Sequence, residues 1–166
     1  VQLVLAAWIA AMLVDPEHRP ASYGIAGIAA ALAIAIGAEM MPFVAVACLC
    51  VALQWVWHGR APATRAFGIA LALTISAAFF LTVPPSAYGT VTCDSLSLGF
   101  YALSAMGGAL LAAATWMPLN GSLRGRLALG AAIGAMLFLA VRGIAPQCLA
   151  SPLAGLDPML VTLWLD

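Results

Sequence analysis

The sequence predicts an all-α fold, a polytopic transmembrane helical bundle of about six membrane segments with an interfacial C-terminal tail. Three observations carry that prediction. Of 166 residues 65% are hydrophobic, only 7% are charged, and mean hydropathy is +1.10. A water-soluble domain carries roughly a quarter of its residues as Asp, Glu, Lys and Arg. The apolar residues also come in long unbroken runs, and helices that are apolar all round need lipid or protein on every side. Finally, Ala-rich stretches such as Gly24–Ala38 do not alternate in the way a transmembrane β-barrel requires.

The predicted bundle covers residues 1–141, with segments at about 1–14, 23–38, 42–57, 66–83, 98–117 and 123–141. The first run, Val1–Val14, is short of the roughly 20 residues a crossing needs. It opens on Val1 rather than Met, with no basic stretch before it, so it reads as the end of a longer helix and not as an intact signal peptide. The polar stretch 15–20 carries two prolines and separates it from the next run. Tyr23–Trp57 would be roughly 50 Å long as one helix, well beyond a bilayer core of about 30 Å. It therefore divides at Glu39–Pro42, with Pro42 in the first turn of the second helix. Loops follow at 58–65, 84–97 and 118–122, each marked by proline. Residues 142–166 form the tail, read as lying along the membrane surface because 159–164 is amphipathic.

All six basic residues are Arg. Arg19, Arg60, Arg65, Arg124 and Arg126, with His18 and His58, fall on one side of this map, and only Arg142 on the other. The Arg-rich side is expected to be cytoplasmic in a bacterial inner membrane, which makes the long loops and the tail periplasmic. No basic patch with interleaved aromatics supports nucleic-acid binding. No Cys/His spacing matches a zinc site, and no cofactor motif is evident.

The residues with chemical potential are few. Glu39, an ionisable group at the membrane end of an apolar hairpin, is the candidate catalytic residue, since charge in lipid is costly and marks function. Its other reading is a carboxylate capping the helix that opens at Met41. Arg142 is the candidate substrate-binding residue, able to hold a phosphate by paired hydrogen bonds, to pair with Asp157, or to reach headgroups. Cys93 and Cys148 fall in outer loops on the oxidising side and are a candidate disulfide. Cys48 and Cys50, two apart in a membrane helix, read as small apolar residues. Asp94 and Asp157 read as helix caps, Gly107, Gly108, Gly130 and Gly134 as helix-packing positions, and His18 and His58 as solvent-facing loop residues.

Several strings carry a resemblance. Val-Gln-Leu-Val-Leu at 1–5, Gly-Ala-Glu-Met-Met-Pro at 37–42, Thr-Val-Pro-Pro at 82–85, Cys-Asp-Ser-Leu-Ser at 93–97 and the Pro-rich stretch 146–158 resemble the C-terminal membrane part of bacterial GT-C-class glycosyltransferases, the superfamily of oligosaccharyltransferases. The resemblance implies sugar transfer from a polyprenyl-phosphate lipid at the periplasmic face. The acidic and Asp/His motifs expected of that reaction are not in these 166 residues, so the chain alone is not expected to be a complete enzyme. An alternative is a non-catalytic accessory subunit packed against other membrane subunits of a photosynthetic or respiratory complex, with Trp55, Trp57, Trp116 and Trp164 as interfacial anchors. A transporter finds only Gln54, Thr74, Ser76, Ser104 and Thr115 for a polar path.

Overall fold

A computed structural model describes residues 1–93, 95–146 and 148. The interfacial reading of the tail and the capping roles of Asp94 and Asp157 fall outside the described residues. Within them the fold is six α-helices: α1 (Gln2–Leu13), α2 (Pro20–Ile36), α3 (Met41–His58), α4 (Ala61–Thr82), α5 (Leu98–Ala114) and α6 (Leu123–Ile144). No strand occurs among the described residues.

Among the described residues three helices are long and apolar enough to cross a membrane: α3 with 18 residues, and α4 and α6 with 22 each. At 1.5 Å per residue the 22-residue helices span about 33 Å, a full hydrocarbon core. The helices α2 and α5 are apolar but 17 residues long.

Helix boundaries follow proline and glycine. Pro20 occupies the first position of α2 rather than ending the preceding loop, so that helix begins three residues earlier than the apolar run suggests. Pro62 sits in the first turn of α4, which opens at Ala61 and takes Arg65 out of the loop and into the helix. A proline there loses no hydrogen bond, because first-turn N–H groups have no intrahelical partner. The last helix runs on to Ile144, placing Arg142 in its final turn, while α5 stops at Ala114 in successive turns before Pro118. Gly59 ends α3 in the left-handed conformation at φ 66°, its N–H donating to Trp55 O at 2.8 Å. That conformation costs glycine almost nothing.

The core is built on α2, α4 and α5, where helix–helix contact is most extensive. Glycine makes this possible. A Cβ built at Gly27 would lie 2.5 Å from Phe67 O, and one at Gly68 would lie 2.5 Å from Gly108 O. Small residues let membrane helices approach until backbone touches backbone, where dispersion replaces the missing hydrophobic drive. Gly108 thus packs backbone to backbone, whereas Gly107 and Gly130 stand in ordinary contact with a side chain of a neighbouring helix and Gly134 meets nothing. Gly107 meets only Leu137 at 3.6 Å, Gly130 only Val56 at 3.7 Å, and Gly134 nothing within 4 Å.

The helices run up and down, so the loops gather at two ends. At one end lie 14–19, 59–60 and 115–122, with Arg19, Arg60, Arg65, Arg124 and Arg126. At the other lie the start of α1, the 3-10 turn Ala38–Met40, and the loop from Val83 to Ser97 beside the end of α6.

An intramembrane cleft as candidate functional site

The polar side chains concentrate at the Arg-rich end, where they tie helices together. Trp55, fully buried, donates its indole N–H to Asn120 Oδ1 at 2.7 Å. Arg126 donates from Nε to Val56 O at 2.8 Å and from Nη1 to Asn120 O at 3.0 Å, satisfying a free carbonyl at the end of α3. Arg65 donates to Thr115 Oγ1 at 3.0 Å and lies 4.6 Å from the Trp116 ring centroid.

His18 belongs to this end and is not a solvent-facing loop residue. It is half-buried, holds φ 48°, and its Nδ1 lies 3.0 Å from the Tyr23 hydroxyl. Tyr23 donates its proton to Gln54 Oε1, so the His18 ring must be the donor toward Tyr23. Desolvation, then the Arg60 guanidinium, pushes the His18 pKa below its ordinary value. Asp15 is held below the usual carboxylate range, chiefly by the Ser22 hydroxyl that donates to it at 2.7 Å. The backbone N–H groups of Glu17 and Arg19 also donate to Asp15.

The opposite end holds the residues singled out from the sequence. Glu39 is exposed in the 3-10 turn Ala38–Met40. It does not cap α3: the N-cap is Met40, and no side chain bonds there. Arg142 is exposed, its guanidinium 5.7 Å from the Phe138 ring centroid. The ion pair recorded among the described residues is Arg19–Glu17, so neither Glu39 nor Arg142 is in one there. Cys93 and Cys148 are joined as a disulfide, with Cα atoms 5.5 Å apart. Phe79 stacks on Tyr101 at 4.4 Å, and Phe80 and Tyr88 close an aromatic cluster that seats the loop after α4.

Between the two ends lies a half-open cleft of about 400 Å³. Its walls are the α4–α5 core on one side and the more lightly packed α3 and α6 on the other. On α3 it extends from Met41 to Ala52, roughly 16 Å along the helix axis. Leu103, Leu111, Ile133 and Leu137 are among its apolar lining, and Ser104 supplies its single hydroxyl. The volume falls in the range of roughly 300–1,000 Å³ usual for ligand pockets. Such a space suits a hydrocarbon chain, because a polar ligand would find almost nothing to replace its water.

The cleft could not be read from the sequence. Its signal, small residues at 107, 130 and 134, is the same one that close helix packing leaves, and only the partner helices distinguish the two. Cys48 lies half-buried in the cleft wall, while Cys50 is exposed, as their two-residue offset on a helix requires. Among the described residues no group of three His, Cys, Asp or Glu could hold a metal ion. Comparison with protein-family models, curated proteins and solved structures finds no match.

Proposed function

We propose that this chain is the membrane-embedded part of a GT-C-like glycosyltransferase, holding the isoprenoid chain of a polyprenyl-phosphate-linked sugar at the periplasmic face. The catalytic groups are supplied from elsewhere. The observation that carries this reading is the apolar cleft among α3, α4, α5 and α6, which extends about 16 Å from the Glu39 end into the bundle. The strings at 37–42, 82–85, 93–97 and 146–158 supply the family direction. In this reading all six helices cross or enter the bilayer, α2 and α5 completed by their flanking turns.

Orientation has two independent supports. Five of the six Arg lie at one end, which supports a cytoplasmic side there in a bacterial inner membrane. The disulfide lies at the other, which supports an oxidising compartment on that side. A chain lying in the cleft past Leu137 would bring its phosphate to the level of Arg142, the basic residue of that end. Arg142 then binds phosphate, and Glu39 stands at the same end to contact the sugar.

The accessory-subunit reading draws on one observation: α6 buries only Gly125 among the described residues, leaving Leu127, Met136, Phe138 and Leu139 outward. One experiment separates the two. The native protein, gently solubilised and placed in nanodiscs, is irradiated with a diazirine-bearing polyprenyl phosphate, and adducts are mapped alongside intact mass and bound partners. Adducts concentrated on Leu49, Leu103, Ile133 and Leu137, displaced by unlabelled polyprenyl phosphate, support the lipid reading. Adducts spread evenly over exposed Leu73 and Leu81, with stoichiometric partners on α6, overturn it in favour of the subunit.

A further inference from the structure

Helix α6 is fastened at its two ends and held lightly between them. At the Arg-rich end Ser122 Oγ accepts from Gly125 N at 3.1 Å, and Arg126 grips Val56 O and Asn120 O. At the other end Ala145, 3% exposed, lies against Gly99, where a Cβ would be 3.3 Å from its own. Three residues further, Cys148 is bonded to Cys93 in the loop that leads into α5. Between these attachments Gly130, Ile133, Gly134 and Leu137 face the cleft. Of α6 only Gly125 is fully buried, so the segment lining the cleft is half-exposed, and a covalent bond secures its outer end.

We propose that the Cys93–Cys148 disulfide is a redox latch on the cleft. Oxidised, it holds the outer end of α6 against α5. Reduced, it frees that end to swing about the Ser122–Arg126 attachment and widen the entrance. What the latch admits rests on the reading of the cleft as the seat of a lipid chain, but the motion does not.

The chemistry is thiol–disulfide exchange with a dithiol reductant. One thiolate of the reductant attacks a sulfur of the pair, the S–S bond breaks, and a mixed disulfide forms. The second thiol of the reductant displaces it. Two electrons and two protons pass to Cys93 and Cys148, and the reductant leaves as its own disulfide. Both cysteines are half-buried, with exposed Thr92 and Pro146 close by in sequence, so a reductant reaches them from the aqueous side.

The test uses the full chain in nanodiscs, with nitroxides on ketone-bearing unnatural residues at Leu81 and Leu139. Both positions are exposed, and they report the outer ends of α4 and α6. Distances are measured by pulsed electron resonance before and after phosphine reduction, and again in Cys93→Ser/Cys148→Ser. A second label pair at Leu53 and Leu127 reports the inner end. The expected result is an outward shift on the order of 2–5 Å at the outer pair on reduction. The double Ser variant should show the same shift without reductant, and the inner pair should stay unchanged. Identical outer distances in the oxidised and reduced protein overturn the latch, whatever the Ser variant does. The diazirine polyprenyl phosphate is applied to the same samples. If α6 moves but neither state is labelled in the cleft, the latch stands and the lipid reading falls. If the cleft is labelled while α6 stays fixed, the latch falls and the lipid reading stands.

Discussion

Gly68 and Gly108 face each other across α4 and α5 so closely that a Cβ on either would lie 2.5 to 2.6 Å from the carbonyl oxygen of the other. The contact is reciprocal and involves backbone on both sides, so no side-chain rotation can relieve an added methyl.

Gly68→Ala and Gly108→Ala should each destabilise the bundle by roughly 1–3 kcal/mol, the usual cost of overpacking. Gly134→Ala, with nothing within 4 Å of its Cβ, should be neutral or stabilising by up to about 1 kcal/mol. Thermal unfolding in detergent, read by circular dichroism, separates the two sets. Equal melting temperatures would mean that α4 and α5 are not packed backbone to backbone.

The empty space beside Gly134 allows a second use. Gly134→Leu should place its side chain in the cleft without displacing a neighbour. The variant is expected to fold with an unchanged melting temperature and to lose most of its cleft labelling by the diazirine probe. Full labelling with the cleft filled would show that the probe sits elsewhere.

Arg126 is the polar residue that joins α6 to α3 and to the turn at Pro118–Gly121. Arg126→Gln should cost about 1.5–3 kcal/mol, the range for hydrogen bonds from a charged donor, and Arg126→Lys should recover only part of it. A lysine ammonium is a point donor and does not reproduce the fork that reaches two carbonyls. Amide exchange at the end of α3 is the direct readout, and it should quicken in both variants, more in Gln.

Acidification should loosen the 14–19 loop in two steps of the same sign. His18 has its folded pKa below 6.5, so as pH falls through 6.5 the unfolded state takes up the proton first and the folded loop loses stability. The groups around it are Arg60, Asp15 and His58. Asp15 has its folded pKa below 3.8, so its contribution is complete above 3.8 and is lost as pH falls through the folded value. Limited proteolysis of the loop across pH 3 to 8 should show both steps. His18→Gln should remove the upper one and Asp15→Asn the lower one. A loop that becomes more protected on acidification would contradict both assignments.

Much of this protein was determined by its sequence alone. Helical character and membrane setting follow from composition, because 7% charged residues cannot coat a water-facing surface. Six helices follow from proline and loop polarity, since the 23–57 run is too long for one crossing and Pro42 can only open a helix there. Helices α2 and α4 begin three and five residues before the apolar runs suggest, because a first-turn proline looks the same in sequence as a helix breaker. Tertiary structure alone decided which glycines touch the backbone of a neighbouring helix. Gly108 and Gly107 are neighbours in sequence, yet one meets the Gly68 carbonyl and the other only the end of Leu137. It also turned His18 inward onto Tyr23 and left Glu39 outward without a capping role. The physical reason is common to all of these. Hydropathy is a property of one residue and its run, whereas a cleft, a close contact or a capped carbonyl is a property of two helices at a given distance and rotation, which no single run encodes.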